Sequence, residues 1–182
     1  MLSNKRLLRL TLSHAFLSFF ILTSNAALAA TISTQPLFVI ERSKNANEVH
    51  YVARLTEKGV LDVHKPIHAF WINWEKDSTG NCREGLNLME QRMAYGFSVD
   101  RSRSPHYCTM KLVCFKNRPI RVSLNNGTAR AETTINGQSA HLKKISVVTR
   151  EKKKTLPKVL SVTVYGTDVA TGEAVEETIT PR

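Results

Sequence analysis

Three polar residues stand at the end of an apolar stretch and could bind an anion: Glu41, Arg42 and Lys44. Side chains alternate along a strand, so Arg42 and Lys44 would share a face with the apolar Ile40. If that face lines the inside of a sheet, both cations stand at its mouth. An arginine there can hold a carboxylate or phosphate with two hydrogen bonds. The alternative is that the strand ends at Arg42 and a solvated turn follows.

Aromatic residues could form the walls of such a site. Tyr51 falls in the next alternating segment, and Trp71 lies between Phe70 and Trp74 in a stretch that is apolar on both faces. Pockets for small ligands are lined mainly by apolar and aromatic side chains. We therefore count Tyr51 and Trp71 among the candidate ligand-binding residues. The alternative is that these rings belong to the core.

A second kind of chemistry would use a cysteine. Cys82 falls where a helix is predicted to begin, and a helix N-terminus favours a reactive thiolate, with His106 or His141 as the base. The alternative is a structural disulfide from Cys82 to Cys108 or Cys114. The latter two cysteines stand six apart on one predicted strand. They would be about 20 Å apart, too far to pair with each other.

Metal binding has a weaker basis in the sequence. His106 and Cys108 would share a strand face, and with Cys82 or Cys114 they could bind zinc. The CxxC pair typical of zinc sites is missing. The nucleophile-elbow, zinc-protease, phosphate-loop and dinucleotide motifs are missing too. The sequence predicts no cofactor and favours a protein that is not an enzyme.

The first 29 residues have the pattern of a secretory signal. Lys5, Arg6 and Arg9 precede an apolar run over residues 10–22, and Ala27-Leu28-Ala29 resembles a cleavage site. We expect residues 1–29 to be removed and residues 30–182 to form a single β-rich domain in the periplasm or outside the cell. The apolar run is too short and interrupted to be a spanning helix.

The chain carries a formal net charge of +11, which favours acidic partners. Arg150-Glu151-Lys152-Lys153-Lys154 is its densest charged run, predicted as a loop between two strands. This loop could contact acidic headgroups at a membrane surface, or it could simply be solvated. Nucleic acid fits less well, because the predicted compartment and an aromatic content of 7% argue against it.

Alternating apolar residues and short turns predict a mainly β fold. We expect about eight strands in an antiparallel meander that closes into a barrel or forms a curved sheet. Asn126-Gly127 and Asn136-Gly137 are typical of tight hairpin turns. One helix is predicted near residues 82–95, because Asn81 and Glu84 have the spacing of a capping box.

Several of these segments resemble a family of exported bacterial domains catalogued as domain of unknown function 4833. The resemblance rests on Phe38–Asn45 with Asn47 and Tyr51, on Pro66 and Trp71, and on Met93–Phe97. It covers roughly residues 36–180 and implies a single exported domain. It assigns no catalytic residue.

These observations favour a non-enzymatic binding domain of the bacterial envelope, whose ligand is anionic or amphiphilic. Two alternatives stay open. One is a small envelope enzyme that uses Cys82, and the other is an interaction protein that binds through its basic surface.

Overall fold

Eleven strands and one short helix make up the structure, a computed structural model that describes residues 32–43, 45–100, 104–152 and 155–180. The predicted signal peptide lies outside the described residues. The strands are β1 (Ser33–Arg42), β2 (Glu48–Leu55), β3 (Ile67–Ile72), β4 (Arg83–Gly85), β5 (Phe97–Val99), β6 (Tyr107–Leu112), β7 (Ile120–Asn125), β8 (Thr128–Ile135), β9 (Gln138–Lys152), β10 (Thr155–Asp168) and β11 (Ala174–Ile179). The helix is α1 (Leu88–Met93). The predicted mainly β fold with one helix is confirmed.

The long strand β9 organises the sheet. Its residues 138–141 pair with β8 and its residues 144–147 pair with β1. Residues 140, 141 and 144–147 also pair with β10, so β8 and β1 must share the other edge of β9. The order β4-β3-β2-β1-β9-β8-β7-β6-β5 therefore curls into a half-barrel, with β10 and β11 attached to β9. The β1–β9 pairing is parallel, whereas the sequence predicted only antiparallel neighbours.

The core lies between the two arms of this curled sheet. One arm, β1 to β3, contributes Phe38, Ile40 and Tyr51, and the other contributes Met110 and Val122. All five are at most 3% exposed. Burial on this scale, at roughly 25 cal/mol per Å² of apolar surface, is the main stabilising contribution to such a domain.

Both predicted Asn-Gly hairpin turns are confirmed. Asn126 and Gly127 have φ angles of 50° and 76°, and Asn136 and Gly137 have 49° and 82°. Two consecutive positive φ angles match the right-handed twist of the strands on either side. These turns fix the registers of the β7–β8 and β8–β9 hairpins.

The helix begins later than predicted. Its capping box uses Asn87 and Glu90, each side chain bonded to the other residue's backbone N–H at 2.9 Å. Asn81 and Glu84 have the same spacing but different roles. Asn81 belongs to a loop whose backbone is bound by Asp77, and Glu84 lies in β4 opposite Trp71.

The predicted strand from His106 to Phe115 is also interrupted. Strand β6 ends at Leu112, and Val113–Phe115 forms one 3₁₀ turn. Val113 N–H donates to the carbonyl of Gly96 at 2.8 Å, which joins this turn to the segment after α1. The turn directs Cys114 out of the strand face that carries Cys108.

Candidate functional site

An apolar groove opens at one end of the half-barrel, between α1 and strands β9 to β11. Its volume is about 650 Å³, within the range of roughly 300–1,000 Å³ that is typical of small-molecule pockets. The groove is lined by Ile40, Arg42, Met89, Glu90, Ala94, Tyr95, Leu112, Cys114, Phe115, Ile145, Val147, Thr149, Val159, Val162 and Ile179. Most of these side chains are apolar, so the groove favours a ligand with a hydrocarbon portion.

A bulge in β10 widens the apolar wall. The pairing of β10 with β9 shifts between Val159 and Ser161, which leaves Leu160 as the extra residue. Val159 and Val162 are three positions apart and would point to opposite faces of a regular strand. The bulge brings both side chains to the groove.

Arg42 supplies the cation of the groove. It is the last residue of β1 and lines the groove together with Ile40, as strand alternation predicts. Its guanidinium carbon lies 5.2 Å from the centre of the Trp71 ring and 6.0 Å from that of Tyr95. Its buried Nε–H has no hydrogen-bond partner among the described residues. A buried donor without a partner costs about 1–3 kcal/mol, which an anion bound at this edge would offset.

The other polar groups that line the groove either already form hydrogen bonds or carry no charge. One Glu90 oxygen accepts the capping hydrogen bond from Asn87 N–H. None of the ion pairs between described residues joins Glu90 to Arg42. Burial raises the pKa of the Tyr95 phenol, although the Arg42 charge acts in the opposite direction. Arg42 is therefore the one cationic side chain among the described residues that line the groove.

The comparison with protein families identifies the chain. A family model described as "Domain of unknown function (DUF4833)" matches residues 38–178. The chain belongs to the DUF4833 family. Neither a curated protein nor a solved structure matches it. The matched residues of this DUF4833 domain run from β1 to β11 and so include every strand of the groove.

Glu41, the charged neighbour of Arg42 that the structure describes, does not line the groove of this DUF4833 domain. Glu41 points to the other face of β1, where its carboxylate pairs with Lys144 Nζ at 3.1 Å. Lys44 lies outside the described residues. Of the predicted cluster, the structure therefore places Arg42 alone in the groove.

The two predicted aromatic residues differ in their roles. Trp71 lies beneath the Arg42 guanidinium, and its ring meets Tyr95 edge-on at 5.0 Å. Tyr51 is fully buried, stacks on Phe38 at 4.5 Å and donates its hydroxyl to the Tyr95 carbonyl at 2.6 Å. Burial raises the Tyr51 pKa far above its usual range. Tyr51 is thus a core residue that supports Tyr95, and it does not line the groove.

Cys82 lies away from the groove, and the argument for its reactivity was wrong. It precedes β4, whereas α1 begins only at Leu88, so no helix N-terminus acts on it. Its Sγ lies 3.8 Å from the Glu84 carboxylate, so its hydrogen-bond partner is Glu84 and not the predicted His106 or His141. His141, one of the two histidines proposed as the base, contacts Arg130 and Glu132 on the outer face of β8 and β9.

Among the described residues, neither the expected disulfide nor the candidate zinc ligands are brought together. Cys82, Cys108 and Cys114 are all free thiols. Cys108 is buried, and desolvation raises its pKa to about 11, whereas His106 is exposed. Among the described residues, no group of three His, Cys, Asp or Glu side chains could hold a metal ion.

Sequence reasoning missed Cys114 and Tyr95 as groove residues. Cys114 lies on the 3₁₀ turn, exposed at the groove wall, and the apolar surroundings of its thiol raise its pKa. Only the tertiary fold brings these residues together at the groove. No helix of the described part is long and apolar enough to span a bilayer.

Proposed function

We propose that this protein binds a small amphiphilic anion, with its anionic head on Arg42 and its hydrocarbon tail in the apolar groove. The observation that carries the proposal is the buried Arg42 Nε–H, which has no partner at the edge of the groove. A carboxylate can accept from Nε–H and one terminal N–H together, in a side-on bidentate pair. The Trp71 and Tyr95 rings beneath the guanidinium hold it in place for that contact.

The expected signal and the basic composition fit a protein of the bacterial envelope, in the periplasm or outside the cell, where amphiphilic anions are abundant. In this proposal the protein binds and carries its ligand without chemical change. The Cys82 enzyme hypothesis has less support, because Cys82 does not line the groove and does not stand at the start of the helix.

Sodium dodecanoate is the probe that tests the proposal. Isothermal titration should detect its binding, and Arg42→Gln should weaken that binding about 10- to 100-fold, as expected for loss of a charge-assisted hydrogen bond. Arg121→Gln is the matched control, because Arg121 also stacks on an aromatic ring, Tyr107 at 5.2 Å, but does not line the groove. It should leave the affinity unchanged.

Two further experiments distinguish the contribution of the ligand's anionic head from that of its hydrocarbon tail. Dodecanol should bind the natural protein more weakly than dodecanoate, and the two should bind Arg42→Gln equally. Dodecanoate should also slow alkylation of Cys114 by iodoacetamide, while the rate at Cys82 stays the same. Unchanged dodecanoate affinity in Arg42→Gln, or no protection of Cys114, would show that the ligand site lies elsewhere.

A further inference from the structure

The mouth of the groove displays two large apolar side chains on α1. Leu88 is 70% exposed and Met89 is 65% exposed, whereas the other exposed large hydrophobic residues range from 37% to 45%. Met89 also lines the groove, so this apolar surface is continuous with the interior of the site. The capping box at Asn87 fixes the first turn of the helix and therefore holds both side chains outward.

Cationic residues lie on both sides of Leu88 and Met89. Arg92 is exposed in the last turn of α1. Across the groove, Thr149 pairs with Val159, and the next pair along the same hairpin is Arg150 with Lys158, both exposed. Apolar side chains together with flanking Lys and Arg are the composition of surfaces that lie in the interface of anionic bilayers.

We propose that this mouth, formed by Leu88, Met89, Arg92, Arg150 and Lys158, attaches to an anionic phospholipid surface and exchanges the groove's ligand with it. The proposal rests on the proposed function, because an amphiphilic anion resides in membranes. Leu88 and Met89 enter the acyl-chain boundary, and the three cations contact the headgroups. A protein partner could also cover Leu88 and Met89, but a bilayer is favoured by the open path into the groove and by the net charge, which stays strongly positive without Lys5, Arg6 and Arg9 of the expected signal.

Vesicle binding tests this surface directly. The double variant Leu88→Ser/Met89→Ser should bind vesicles of phosphatidylcholine mixed with phosphatidylglycerol about tenfold more weakly than the natural chain. The matched control is Val63→Ser/Val169→Ser, because these residues are also exposed, at 37% and 45%, but do not line the groove. It should bind as the natural chain does.

A fluorescent reporter shows which part of the full chain enters the bilayer. The emission of Leu88→Trp should shift to the blue on anionic vesicles, and that of Val169→Trp should not. The two natural tryptophans contribute the same background to both variants. No shift for Leu88→Trp, equal vesicle binding by Leu88→Ser/Met89→Ser, or equal binding to vesicles of phosphatidylcholine alone would each overturn the proposal.

Measuring the transfer of dodecanoate to vesicles tests membrane attachment separately from ligand binding. The single variant Leu88→Ser, whose side chain does not line the groove, should keep its affinity for dissolved dodecanoate but deliver it to vesicles more slowly. Arg42→Gln should bind vesicles normally while losing dodecanoate. If the natural chain binds no dodecanoate, the proposed function fails, and the reporter result still decides whether the mouth attaches to a bilayer.

Discussion

Replacement of Arg42 by methionine should not destabilise the protein appreciably, while it weakens ligand binding. Methionine keeps an unbranched side chain over Trp71 and Tyr95 and makes sulfur–aromatic contacts worth about 0.3–1.5 kcal/mol. The substitution loses cation–π contacts worth about 1–2 kcal/mol. It also removes the buried Nε–H that has no partner, at a gain of about 1–3 kcal/mol. Together these contributions predict a change in the free energy of unfolding between a loss of about 1 kcal/mol and a gain of about 3 kcal/mol.

Urea unfolding followed by far-UV circular dichroism measures this change, since the signal does not depend on the Trp71 environment. Arg121→Met is the control, because Arg121 stacks on Tyr107 at 5.2 Å on an exposed face. Dodecanoate affinity of Arg42→Met should fall about 10- to 100-fold. Removing one partner of a buried ion pair typically costs about 3–5 kcal/mol. A loss of more than about 3 kcal/mol would mean that Arg42 is structurally paired, and the reasoning would be refuted.

Two further predictions concern the scaffold around the groove. Glu177 accepts from Arg118 at 2.7 Å, and this hydrogen bond and charge hold its pKa below the usual 4.5. Because the folded state lowers this pKa, Glu177→Gln should cost about 1 kcal/mol at neutral pH. Urea melts should show that difference vanishing as pH falls below 4.5 and through the folded-state pKa. A Cβ on Gly96 would meet the Gln91 carbonyl oxygen at 1.7 Å, so Gly96→Ala should cost about 2 kcal/mol or more. Gly85→Ala, which meets nothing within 4 Å, should cost under about 1 kcal/mol, and equal costs would contradict the reasoning.

The strands and their turns could be predicted because their signals are local. The alternation of apolar and polar residues predicted β2. The two Asn-Gly pairs predicted both hairpin turns, because these residues tolerate the positive φ angles that such turns need. The helix position failed because Asn81–Glu84 and Asn87–Glu90 have the same capping spacing. Glu84 pairs with the buried Trp71 in the β3–β4 ladder, so the helix begins at the second of these two segments. That pairing is a tertiary contact, which the local sequence does not show.

The candidate site was predictable only in part. Alternation placed Arg42 on the Ile40 face, and the structure agrees. The opposite wall depends on the parallel β1–β9 pairing and on the β10 bulge, which have no local signature. Tyr51 was assigned to the site because it is aromatic and polar, but its hydroxyl serves the Tyr95 carbonyl in the core.

The shared edge of β9 has a consequence for the order in which the chain folds. Ser43 at the end of β1 accepts a hydrogen bond from Thr149 N–H across 106 residues of sequence. Such non-local contacts slow folding, because a long loop must close before they form. The β1–β2–β3 arm therefore lacks its neighbouring strand until the ribosome has released β9. A nascent chain of this sequence therefore stays incompletely folded until β9 has been synthesised.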